Sequence, residues 1–558
     1  MNRNKISHFS ETPVVKAQRS VFDIFHDHKT TADAGKLYPF FDFDVLPGDT
    51  IHLDNSILCR MATPLFPVLD NAYLDTYFFF IPNRLVYDGW KALCGENDES
   101  SWTLNENVIL PSIRGVFQSG SIFDHFGDPI GVNISVDSLN YRMYQLIWNE
   151  WFRNQNLQDP ILINKGLIVD EIASIAKQKI LPVNRFRDYF SSCLPAPQKG
   201  EAVSIPLQGT IPVYATSTLN PFFSDDSTDL PAGVSLKWFT DSSNIMPGEF
   251  YNLGSYFNYA GNSSTTFYGS AAANVGGAQS GVSSSGVSPA NLKAFLDYGQ
   301  GFASINSLRQ AFQIQRMLEL DARSGTRYVE ILRSHFNVIA PDASLQRPEY
   351  LGGRRIPLSV NQVLQTSSTD GTSPLGQTGA FSKTVDSSPI FKKSFTEHGR
   401  IIGVFCIRTD RSYQQGIRRS HSRRTRYDFY WPALAHIGEQ AVLRKEIYAK
   451  GNENDDVVFG YQEAWAEYRN HPNIVSGGFR ENYSGGAGLN AWHYADWYGS
   501  APELSSEWIQ EGDANVDRTL AVSNDGQIDS QFYLDAFFKI KAARPMPLYS
   551  VPGLIDHF

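Results

Sequence analysis

The sequence predicts a mainly β protein: a β-sandwich of jelly-roll type with large loop insertions and a few helices. Three observations predict it. Runs rich in β-branched and aromatic residues, some alternating with period two, lie towards both ends of the chain. Long stretches rich in turn residues separate these two sets of strands, as in a sandwich whose strands come from distant parts of the chain. Only two regions change to a helical period.

The elements follow in chain order. Residues 1–36 are polar and carry Arg3, Lys5, Lys16, Arg19, Lys29 and Lys36. They are expected to form an N-terminal arm, ordered only by contact with something else. Residues 37–219 hold the first strands. In "DTIHLDNSILCRMATP", Ile51 and Leu53 alternate with polar residues, and Pro64 and Pro67 end the segment. "NAYLDTYFFFIPNRL" is a second strand, stopped by Pro82. Over 137–153, Met143, Ile147 and Trp151 recur every four residues, which predicts an amphipathic helix with Asp137 as its N-cap. Residues 220–295 read as an insertion in the domain: within them "GNSSTTFYGSAAANVGGAQSGVSSSGVSPA" is rich in Gly, Ser and Ala and uncharged. Residues 296–558 complete the sandwich. Ile305, Leu308 and Phe312 share one helical face, and "DARSGTR" breaks that segment into two helices. "RIIGVFCIRTD" is a buried strand. In "QFYLDAFFKIKAARP", Phe532, Leu534, Ala536, Phe538 and Ile540 form one face of a strand.

Composition narrows the function classes. Charged residues make up 19% of the 558 and aromatics 13%, which excludes disorder and suggests surface buried against partners. Lysine and arginine total 48 against 58 acids, for a net charge of -10, so any contact with nucleic acid must be local. Cys59, Cys94, Cys193 and Cys406 show no metal-ligand spacing and read as buried free thiols of a reducing compartment. The N-terminus lacks the apolar run of a signal peptide, and no stretch approaches the ~20 apolar residues of a membrane span, so no membrane insertion is expected.

Motifs for catalysis and cofactors are missing: no phosphate-binding glycine loop, no HExxH and no GxSxG elbow occurs. No catalytic residue, cofactor or metal ligand is assigned. His26, Asp27 and His28 could bind a metal only with a third ligand that the sequence does not supply nearby. "GNENDDVV" at 451–458 reads as a solvated turn in preference to a cation loop. One cluster stands out. Arg418, Arg419, Arg423, Arg424 and Arg426 lie in "GIRRSHSRRTRYDFYWP" beside Tyr427, Phe429, Tyr430 and Trp431. Such a run can be a solvated face, a set of ion pairs across a subunit contact, or a site that grips phosphates and stacks bases.

The sequence resembles the major capsid proteins of the Microviridae, small icosahedral phages with single-stranded DNA, and specifically the gokushovirus branch. The likeness rests on "RSVFDIFHDHKTTADAGKLYPFFDFDVLPGDT" at 19–50, "MATPLFPVLDNAYLDTYFFFIPNRL" at 61–85, "LRQAFQIQRMLELDARSGTRYVEILRSHFNV" at 308–338, "TRYDFYWPALAHIGEQAVLRKEIYA" at 425–449 and "ARPMPLYSVPGLIDHF" at 543–558. Ala32 and His421 stand where that pattern has aromatic residues, so no stacking role is carried over to His421. The resemblance implies an eight-stranded viral jelly roll that self-assembles into a T=1 shell around circular single-stranded DNA. It implies that 220–295 forms an outer protrusion at the three-fold axes, implicated in attachment to a bacterial host receptor. It also implies a small basic DNA-binding protein and a DNA pilot protein as companions in the virion, and synthesis in the host cytoplasm.

With that resemblance, the arm with Arg3 and Lys5 is expected to face the lumen. The five arginines are expected at a subunit interface or on the inner surface, beside an aromatic block expected to be a buried strand. The tail, with Tyr549, Leu554, Ile555 and Phe558, is expected to pack on a neighbouring subunit. The competing readings are a carbohydrate-active enzyme on a β-sandwich and a soluble single-stranded DNA-binding protein.

Overall fold

The alternation in 532–544 becomes the central strand of a sheet. The computed structural model describes residues 18–96, 108–201, 203, 213–215, 238–241, 244–245, 288–289, 292–294, 305–367, 375–376, 378–485, 488–521 and 530–549. The chain divides into two compact units, residues 1–200 with 318–558, and residues 201–317.

The first unit contains eight long strands: β1 (Ser20–Ala32), β2 (Tyr38–Val45), β3 (Thr50–Met61), β4 (Ala72–Pro82), β5 (Glu349–Pro357), β6 (Thr384–Ser394), β7 (Gly399–Thr409) and β8 (Phe532–Arg544). They form two four-stranded sheets, in the orders β1-β8-β3-β6 and β5-β4-β7-β2. All neighbouring pairs in these sheets are antiparallel. Strands from the two ends of the chain interleave, and the path crosses between sheets at nearly every step. That is the connectivity of a jelly roll, two Greek keys rolled together.

Phe538 shows how the sheets close on each other. From β8 its ring meets Phe41 at 4.7 Å and Phe40 at 5.3 Å, both on β2. Gly403 on β7 faces the same cluster. A Cβ there would stand 2.8 Å from both Phe41 and the Phe78 ring, so the sheet tolerates only a hydrogen. Pro389, which cannot donate to a ladder, lies at a bulge on the edge strand β6.

The second sheet is covered on its outer side as well. Phe79, Ile81, Ile402, Val404 and Cys406 pack there against α1 (Leu139–Ile147) and nearby loops. Both faces of β4 and β7 are therefore buried, which is why their sequences run apolar without alternation. Met143 and Ile147 are buried on α1, and Trp151 packs 5.3 Å from Phe79 after the helix widens into a π turn over Trp148–Phe152. The N-cap is Ser138, one residue past the expected Asp137, whose Oδ1 accepts from the Leu139 N–H at 3.0 Å.

The second helical stretch splits as expected into α2 (Ile305–Ser324) and α3 (Tyr328–Phe336), parted at Gly325 with φ +101°. Phe312, on the apolar face of α2, is exposed. In the unit 201–317, Trp238–Asp241 pairs with Asn244–Ile245 and Ser288–Pro289, and Leu292–Ala294 pairs with Val213–Ala215. Most of 220–295 lies outside the described residues.

Two expectations need correction. Residues 20–32 do not wait for an outside partner: they are β1, paired with β8 from Ser20↔Arg544 to Ala32↔Phe532, with Ile24 packed against the core. Cys94 is exposed, while Cys59, Cys193 and Cys406 are buried free thiols. Burial pushes the Cys59 and Cys406 thiols up to about 12.

Candidate subunit and nucleic-acid surface

The arginine cluster sits beyond β7, over a separate apolar core that includes Tyr189, Tyr413, Val442, Ile447 and Phe459. Gly416 sets the path of the chain. A Cβ there would fall 1.9 Å from the Glu446 carbonyl oxygen, so only glycine lets the two backbones pass. A short helix, Arg419–Ser422, follows. Then Asp428 closes a tight turn: its Oδ2 accepts from the backbone N–H groups of Arg424 at 2.9 Å and Thr425 at 2.6 Å. Those bonds hold the Asp428 carboxyl below its usual range.

The five arginines divide into two kinds. Arg419 donates to the Ala441 carbonyl at 2.8 Å and to Glu446 Oε1 at 3.1 Å. Glu446 also accepts from the Tyr189 hydroxyl at 3.0 Å, and burial raises its carboxyl pKa. Arg423 donates to Glu467 Oε1 at 3.1 Å and lies over the rings of Tyr468, at 4.4 Å, and Phe429, at 5.3 Å. These two guanidiniums are spent inside the chain. Arg418, Arg424 and Arg426 have no ion-pair partner among the described residues. Arg426 lies 4.8 Å over the Trp431 ring, and the Trp431 indole N–H donates to the Arg426 carbonyl at 3.0 Å.

The aromatic block differs from its expectation. It is neither a strand nor buried: Tyr427 is 74% exposed and Trp431 43%. The Asp428 turn and Pro432 interrupt any strand there. The result is an outward surface of three uncommitted guanidiniums and several rings. The partners Glu446, Glu467 and Tyr468 leave no local signal, because they lie 27, 44 and 45 residues beyond the arginines they meet.

The other candidates are less concentrated. Arg3 and Lys5 lie outside the described residues, as do Leu554, Ile555 and Phe558 of the tail. Tyr549 is described and is 77% exposed, beyond the end of β8. The His26 and His28 rings stand edge to face at 6.3 Å, and no group of three potential metal ligands occurs among the described residues. In 451–458, Asp455 caps its own turn, accepting from Lys450 N–H at 2.9 Å and Gly451 N–H at 2.6 Å. Among the described residues, no helix is long and apolar enough to cross a membrane.

Comparison with known proteins covers nearly the whole chain. The family described as "Capsid protein (F protein)" matches residues 10–554. The chain is 39% identical to capsid protein VP1 of Chlamydia phage 1, covering 98% of this chain and 97% of that protein. It is also 39% identical to capsid protein VP1 of Bdellovibrio phage phiMH2K, covering 100% and 99%. With capsid protein VP1 of Spiroplasma virus 4 the identity is 37%, covering 96% and 95%. The chain therefore belongs to the phage F-type capsid protein family, in its gokushovirus branch, and its role is structural, as a protein of the virion shell.

Proposed function

We propose that copies of this chain assemble into a T=1 icosahedral shell of roughly sixty subunits, closed by symmetry, around a circular single-stranded DNA genome. The observation that carries this reading is the interleaved eight-stranded jelly roll in a chain that matches phage capsid proteins from end to end. Support for the interfaces comes from the surface of the chain. Arg418, Arg424 and Arg426 leave their charge uncommitted beside exposed rings, which suits a neighbouring subunit or the genome. The apolar tail beyond Tyr549 suits a neighbouring subunit.

The insertion at 220–295 forms the outer protrusion in this reading and meets the receptor of a bacterial host. Its Gly/Ser/Ala-rich composition suits a loop free to vary. The arm with Arg3 and Lys5 faces the lumen. A small basic DNA-binding protein and a DNA pilot protein share the virion, and the chain is made in the host cytoplasm. Expression of this gene alone, followed by sedimentation and electron microscopy, tests self-assembly. Uniform closed shells are expected. Monomers alone, under conditions where the chain is folded, contradict unaided assembly.

A further inference from the structure

The two outer faces of the sandwich are unlike. The β5-β4-β7-β2 sheet is covered by the cluster around Met143, Tyr144 and Ile147. The β1-β8-β3-β6 sheet keeps aromatic side chains on an open face. Phe25 on β1 is 61% exposed and Phe537 on β8 is 43% exposed. Their rings stack at 6.1 Å with planes 14° apart. Tyr533, four residues before Phe537, lies on the same face about 13 Å along the strand.

The charges on this face are unevenly matched. Three of its acids are paired with lysines: Asp23 with Lys541 at 3.7 Å, Asp535 with Lys29 at 3.5 Å, and Asp27 with Lys29. The fourth, Asp54, lies 3.5 Å from His52 and directly opposite Lys539 in the register. Arg60, Lys392 and Lys539 are exposed and have no ion-pair partner among the described residues. The register sets two of these cations beside the rings and the third across the same face. Lys539 is directly opposite Phe25, and Arg60 is opposite Tyr533. Lys392 is opposite His52, which is itself opposite Lys541. Directly opposed side chains on one sheet face lie within mutual reach.

We propose that this open face is a platform for the packaged single-stranded DNA. Bases stack on Phe25, Phe537 and Tyr533, while phosphates meet Arg60, Lys392 and Lys539. Flat exposed rings flanked by unpaired cations are the combination that holds a single strand without reading its sequence. Charge complementarity selects this occupant, because a single strand presents one phosphate per nucleotide, a regular row of anions for these cations. The inference rests on the shell reading above, because it turns this face to the lumen.

Ultraviolet cross-linking of nuclease-treated phage, followed by digestion and mass spectrometry, tests it. Nucleotide adducts are expected on peptides containing Phe25, Tyr533 or Phe537. Adducts confined to other peptides, those of 418–431 included, overturn the proposal, as does protein density laid over the face in a particle reconstruction. Phage particles that lack this chain would overturn the shell reading itself. A second test uses purified chain and an oligodeoxythymidine. Changing Arg60→Gln, Lys392→Gln and Lys539→Gln together is expected to lower the log–log salt slope of binding by about 2. Phe25→Ser is expected to weaken binding on the order of tenfold. An unchanged slope and affinity contradict the platform.

Discussion

At Arg423 the guanidinium meets Glu467 at 3.1 Å and rests on the Tyr468 ring, with only 11% of the side chain exposed. Arg424, its neighbour in sequence, spends only its backbone N–H, on Asp428. Arg423→Ala leaves the largely buried Glu467 with only Arg419, at 3.9 Å, and removes the cation from the Tyr468 ring, so it is expected to cost about 1–3 kcal/mol. Arg424→Ala and Arg426→Ala are expected to stay within about 0.5 kcal/mol. Denaturant melts of the purified chain separate these outcomes. Equal stability of the Arg423 and Arg424 variants would contradict the division of the cluster. Loss of shells or of packaged DNA in the Arg424 and Arg426 variants would show what their charge meets.

His125 gives the residue scale a pH dependence. It is buried, its Nδ1 lies 2.9 Å from the Thr30 hydroxyl of β1, and the Tyr38 ring is 4.8 Å away. Burial lowers its pKa from 6.5 to about 4; Asp124 and Asp33 oppose the shift, and His28 adds to it. The unfolded chain therefore binds the extra proton first as pH falls. This contribution is fully present above pH 6.5 and is lost as pH falls towards 4, up to about 3 kcal/mol. His125→Gln is expected to flatten that part of the stability profile. Thermal unfolding of both proteins between pH 7 and 4 checks it, and parallel profiles would contradict the assignment.

At the scale of elements, β8 contributes Phe538 to the meeting of the two sheets. Phe538→Ala is expected to destabilise by about 3–5 kcal/mol, the usual cost of emptying a packed aromatic site. Calorimetry on the purified chain would read this as a large fall in Tm. The same strand shows what sequence makes legible. One buried face and one exposed face leave a period of two, so β8 could be read residue by residue. In β4 and β7, burial on both faces removes the alternation, and only apolar content marks the strand. β1 escaped because His26, Asp27, His28 and Lys29 make it look polar. Its partner lies about five hundred residues away, and local pattern carries no trace of that pairing. The error at 427–431 has the opposite cause. Aromatic content there resembles a buried strand, but the Asp428 turn and Pro432 keep the rings at the surface. The arginines were visible in sequence, whereas their sorting into internal and free depended on Glu446 and Glu467, which only the fold brings near.

At the scale of the whole molecule, the function is assembly, so the decisive changes are those that leave one subunit intact. Residues 549–558 follow the last strand of the sandwich and begin at an exposed tyrosine. Their deletion is expected to leave the melting profile of the isolated chain unchanged and to abolish shells. Normal shells from the truncated chain, seen by electron microscopy, would refute the role of the tail. In the virion this jelly roll is expected to build the wall that encloses the genome. Cryo-electron microscopy of nuclease-treated phage tests that most directly. Small icosahedral particles are expected, with about sixty copies of this fold in the wall and protected DNA within. Particles whose wall contains no copy of this chain would contradict it.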